Sequence, residues 1–198
     1  MSPTSFAQQS LNTNKQPVYD DFLVGNLPNT GNYVSIATAT VTSGGASTIT
    51  FSSIPQTFTH LQLRGIGSDT QASGGVHSLI LNFNSDTGAN YTYHGLTGNG
   101  TSASSGRHTN NFGWYPMPGP GIGTAGNFNI WTVNVMNYYN NTTFKTGTSR
   151  FTNSSSYSAG NSHLWRSTAT ISTITITYET SNDLQSGSMF TLYGIAAA

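Results

Sequence analysis

The chain has 198 residues, with six Lys/Arg, six Asp/Glu and no Cys, so its formal net charge is zero. Charge occupies 6% of positions, against roughly a quarter in ordinary soluble domains, while 26 Ser, 30 Thr, 20 Asn and 22 Gly supply a neutral polar surface. This composition excludes a disulfide scaffold and a thiolate zinc site, and without any Lys/Arg run it argues against electrostatic capture of nucleic acid or of an anionic membrane.

The length suits one substantial core, or at most one domain with an appendage, and 12% aromatic residues give the chain enough to bury. The start, Met1-Ser2-Pro3-Thr4-Ser5, lacks the basic-then-apolar pattern of a signal peptide. No stretch reaches the roughly 20 apolar residues that span a bilayer. Synthesis in a cytoplasm, without classical secretion, is the expectation.

Residues 1–30 carry no sustained period and are interrupted at Pro3, Pro17 and Pro28. Their scattered apolar residues Phe6, Leu11, Tyr19, Phe22 and Leu23 predict an extended N-terminal arm with docking anchors. Residues 31–198 then form the domain. From Tyr33 the period is two, with Val34, Ile36 and Thr38 alternating with Ser35, Ala37 and Ala39. The Gly44-Gly45 turn before Ser47–Phe51 predicts a hairpin. His60–Arg64 places two leucines on one face, and Leu79, Leu81 and Phe83 form another inward set. Asn84–Gly88 is rich in turn formers, and Tyr91–His94 follows as a further strand.

Gly98–Gly126 is expected to be irregular, because three prolines follow Tyr115 within five residues and cannot occupy a central strand. Strand pattern resumes over Asn127–Met136, Phe144–Phe151, Ala169–Tyr178 and Met189–Ile195. In all, eight to ten strands and no helix are predicted. The fold class is therefore all-β, an antiparallel β-sandwich, with a jelly roll as first choice.

Candidate chemistry is sparse. Asp20 and Asp21 fall in the arm, and Asp69, Asp86, Glu179 and Asp183 are isolated in turn-like sequence. Asp69 and Asp86 could reach a calcium ion with Asn84 and Thr87, but no complete calcium loop is present. His60, His77, His94, His108 and His163 form no metal-binding spacing, and there is no Gly-x-Ser-x-Gly turn or phosphate-binding glycine loop. No catalytic residue, metal ligand or cofactor is assigned, and no enzyme activity is expected. The aromatics Trp114, Tyr115, Tyr138, Tyr139 and Trp165 have three uses open to them: packing, a subunit interface, or stacking against a glycan. Trp131, inside an alternating strand, is predicted to be core.

Three segments carry a resemblance: Thr48–Gly65, Leu81–Tyr91 and Phe190–Ile195. Their order resembles tailed-bacteriophage virion structural proteins, small Cys-free β-sandwich modules that decorate heads or form parts of tail fibres. It spans about residues 33–195 through those segments alone. The resemblance implies a non-enzymatic protein located in the virion, a capsid decoration (cement) protein bound to the major capsid protein or other virion subunits. It also implies a homo-oligomer, a trimer, with no nucleic acid or membrane partner. The alternative it leaves open is a tail-fibre or spike module that recognises host surface glycan.

Overall fold

The computed structural model describes residues 32–70, 78–116, 128–152, 157–178 and 183–196. The arm anchors Phe6, Leu11, Tyr19, Phe22 and Leu23 lie outside the described residues. Within them the chain forms eleven strands and no helix: β1 (Tyr33–Thr40), β2 (Thr48–Phe51), β3 (His60–Gly67), β4 (Leu79–Phe83), β5 (Tyr91–Gly98), β6 (Ala103–Asn111), β7 (Asn129–Met136), β8 (Lys145–Thr152), β9 (Ser158–Trp165), β10 (Ile174–Tyr178) and β11 (Met189–Ile195). Eight of them make one sheet in the order β1-β11-β3-β7-β8-β9-β5-β6, and three make a second in the order β2-β10-β4. Every pairing is antiparallel. The all-β sandwich is as expected; the division into eight plus three strands differs from a regular eight-stranded jelly roll.

Alternation of apolar and polar residues decides which face is buried. Leu61 and Leu63 on β3, Trp131, Val133 and Val135 on β7, and Phe190 and Leu192 on β11 point inward from the large sheet. Ile49, Phe51, Leu79, Leu81, Phe83, Ile174 and Ile176 answer them from the small sheet, and all belong to one buried cluster. Each such side chain contributes about 1.5–3 kcal/mol by leaving water. Close approach makes some glycines obligatory: a Cβ on Gly147 would stand 2.6 Å from the Trp114 ring.

Both ends of the described fold meet at one edge of the large sheet. Tyr33 pairs with Ile195, and Ala196 N donates to Asn32 O at 2.9 Å.

Three sequence expectations are corrected. Gly44-Gly45 does not close a hairpin, because β1 pairs with β11 while β2 pairs with β10, so this turn carries the chain from one sheet to the other. Part of the stretch expected to be irregular is β6, whose residues 103–110 are exposed on both faces. A strand with no buried face needs no apolar alternation. The unpredicted strand β9 buries Ala159, Asn161, His163 and Trp165, of which two are polar and one is small.

Candidate functional site

Of the four outward residues of β9, Ser158, Gly160 and Ser162 are small and Leu164 closes the row at the far end; a Cβ on Gly160 would meet nothing within 4 Å. Larger side chains flank them on the neighbouring strands. Arg150 is in register with Gly160 on one side and Leu96 on the other, while Thr148 and His94 bracket Ser162. The result is a trough along β9 on the outer face of the large sheet. One section, of about 800 Å³, is lined by residues including His94, Leu96, Arg107, Asn134, Thr148 and Arg150. A second, of about 640 Å³, continues past Arg150, Gly160 and Leu96 to Ile130 and Thr132.

One wall is ordered by cross-strand hydrogen bonds. The Tyr33 hydroxyl and Arg64 Nε both donate to Gln62 Oε1, the latter at 2.7 Å. Gln62 Nε2 donates to Asn134 Oδ1 at 2.7 Å, and Asn134 Nδ2 donates to Thr148 Oγ1 at 3.2 Å. The Arg64 guanidinium lies 5.3 Å from the Tyr33 ring centre and 5.6 Å from that of Tyr193, a cation–π arrangement. Arg64, Thr132 and Arg150 share one cross-strand row, so the backbones of the two arginines stand two strand spacings apart, roughly 10 Å, with the Arg64 guanidinium turned towards β11 and β1.

Charge is partitioned. Arg64, Arg107 and Arg150 are exposed on this sheet, whereas the described carboxylates Asp69, Asp86 and Asp183 all lie outside its strands. Sequence reasoning missed the arginine grouping because the three belong to three separate strands, β3, β6 and β8. The pairing order, read with the two-residue period, could have found it. At one end of the face a different pattern holds. Met189, Ile66 and Ile130 stand in register on β11, β3 and β7, and each is exposed, at 42%, 38% and 54%.

Beneath the trough, inside the sandwich, Ser149 Oγ lies 2.8 Å from His163 Nε2. This pair invites comparison with a nucleophile and its base, but the surroundings fix another role. Asn161 Nδ2 donates to both Ser149 Oγ and the Pro116 carbonyl, and Ser149 Oγ donates to that same carbonyl. His163 then supplies its Nε2 proton to Ser149, whose lone pairs are both occupied. Trp114 stacks on the imidazole at 5.0 Å between ring centres, and burial pushes the His163 pKa down to about 3. The cluster is a neutral clamp on the Pro116 backbone.

The predicted aromatic set separates. Trp114, Tyr138 and Trp165 are buried, so they pack the core and are corrected as surface contacts for a subunit or a glycan. Trp114 also bridges to the small sheet through paired backbone bonds with Leu81, of 2.8 and 2.9 Å. Tyr115 is half-buried with its ring 5.6 Å from that of Tyr93, and Tyr139 is exposed. The trough brings none of the five together.

Asp86 is a loop former: its carboxylate accepts from Gly88 N at 2.8 Å, Asn90 Nδ2 at 3.0 Å and Trp165 Nε1 at 2.7 Å. Among the described residues no group of three His, Cys, Asp or Glu could hold a metal ion. Abundant Asn also has a local cause. Asn99 and Asn140 each accept from the backbone N–H groups two and three residues on, closing Asx turns.

Comparison with known protein families, with curated proteins and with solved structures found no match to this chain.

Proposed function

We propose that this chain is a non-enzymatic structural protein of a bacteriophage virion, a capsid decoration module that binds the assembled head and stabilises it. The observation that carries this reading is the exposed row Met189–Ile66–Ile130, aligned across three strands on a face that carries no carboxylate among the described residues. An apolar row of this kind gains free energy when another subunit covers it. A protein that binds the assembled shell and not its free subunits favours the shell by mass action. Oligomerisation as a trimer belongs to the same proposal, and rests on the resemblance.

The test is co-sedimentation of the protein with phage heads that lack it. Ile66→Glu combined with Ile130→Glu should abolish binding and leave heads as fragile to heat as undecorated ones, with the circular dichroism unchanged. Binding equal to that of the unmodified protein would sink the reading.

The second reading, a tail-fibre or spike module that binds host surface glycan, is favoured by the trough along β9. Its hydroxyl, amide and guanidinium groups surround a small-residue floor, as a bound sugar chain requires. Locating a labelled copy on intact virions by electron microscopy separates the two, since one predicts label on the head and the other at the tail tip.

A further inference from the structure

We infer that the trough along β9 binds an acidic polysaccharide, a sugar chain bearing carboxylates, with Arg107 and Arg150 as its anion contacts. The inference rests on the glycan-binding reading and adds the chemical class of the ligand. Arg150 rises from β8 beside Gly160, and Arg107 stands on β6 opposite His94. Three strand spacings separate β8 from β6, or roughly 14 Å. That distance is spanned by an oligosaccharide and exceeds a single sugar ring. Both side chains are exposed, and neither forms a hydrogen bond or ion pair with another described residue. They are therefore free to take bidentate carboxylate contacts.

Between them the lining supplies what a sugar chain needs. Ser105, Thr148 and Ser162 offer hydroxyls, Asn134 an amide, and Leu96 an apolar patch exposed at 68% for the C–H face of a ring. Arg64, two strands beyond Arg150 on the same row, adds a further positive charge to this face. With no carboxylate on this sheet among the described residues, nothing there repels an anionic chain. A nucleic acid fits less well, because the lining holds no exposed Phe, Tyr or Trp ring on which a base could stack: Phe151 is buried, and the exposed ring is the imidazole of His94.

The experiment uses the full chain and three probes, read by calorimetry at low and moderate salt: a polygalacturonate oligomer, its carboxyl-reduced neutral counterpart, and oligothymidylate of matched charge. The expected result is binding of polygalacturonate alone, weakening with salt. Arg107→Gln and Arg150→Gln should each lower affinity about tenfold, as the loss of one charge-assisted contact would. Gly160→Val, which fills the floor, should remove binding while the melting temperature is retained. Equal affinity for the neutral polymer, lost in Gly160→Val, would overturn the acidic class and keep the glycan reading. Binding that survives all three substitutions, or equal affinity for oligothymidylate, would overturn the assignment of this site. Absence of binding to either polysaccharide would overturn both the inference and the glycan reading.

Discussion

Trp165 Nε1 donates to Asp86 Oδ2 at 2.7 Å, joining the last residue of β9 to the loop between β4 and β5. The same loop is held by the Tyr91 hydroxyl, which donates to Asp86 O at 3.0 Å and accepts from Phe83 N at 3.1 Å. Burial acts to raise the Asp86 pKa, but hydrogen bonds from Trp165, Gly88 and Asn90 outweigh it and hold the carboxyl below its usual 3.8. A carboxyl with a lowered folded pKa stabilises fully above its unfolded value and loses that contribution as pH falls through the folded one. Asp86→Ala should therefore cost about 1–3 kcal/mol at pH 7, because the buried indole N–H loses its partner. The cost should shrink below pH 3.8. Urea unfolding at both pH values measures it.

His163 gives a second, separable pH dependence. Its folded pKa of about 3, against 6.5 when free, means that the unfolded chain takes up a proton across that window and the folded one does not. Stability falls as pH drops from 6.5 towards 3, by up to roughly 4 kcal/mol, and is unaffected by this group above the window. His163→Phe keeps a ring against Trp114 and removes the titration. Its unfolding midpoint should change less with pH over that interval than that of the unmodified protein.

Gly147 leaves no room for a methyl group. Its Cβ would meet the Trp114 ring at 2.6 Å and crowd the Asn134 carbonyl on the paired strand. Gly147→Ala should destabilise by about 1–3 kcal/mol through overpacking. An unchanged denaturation midpoint would show that Trp114 can move aside.

Trp114 and Tyr139 make a contrast within the aromatic set. Trp114 is fully buried, whereas Tyr139 is exposed at 45%. Trp114→Ala should cost about 3–5 kcal/mol, and Tyr139→Ala should stay within about 0.5 kcal/mol of the unmodified protein. Loss of any binding activity in Trp114→Ala would then report unfolding, and only a surface substitution such as Arg150→Gln tests recognition.

The legible parts of the sequence were those where burial and period coincide. β3, β4, β7 and β10 place leucine, valine, isoleucine or aromatic residues at every second position, and each was read correctly. β6 and β9 were not. β6 buries neither face, so nothing in Ala103–Asn111 alternates in hydropathy. β9 buries Asn161 and His163 through hydrogen bonds made by residues distant in the chain, Ser149 and Pro116. The Gly44-Gly45 turn looked like a hairpin because local sequence does not reveal which sheet the next strand joins. The candidate site was hidden for the same reason. Its arginines and its small-residue floor come together only once eight strands are ordered, and three of the five aromatics singled out by sequence, Trp114, Tyr138 and Trp165, are needed inside.

Because Asn32 and Ala196 are bonded to each other at the β1 edge, any polypeptide joined to either end leaves from one corner. β6 forms the opposite edge, seven strand spacings away, or roughly 33 Å. A tether at that corner would present the far rim and the trough outward like a flag from its pole. A label joined directly at Asn32 or Ala196 would sit at the opposite edge of the sheet from β6.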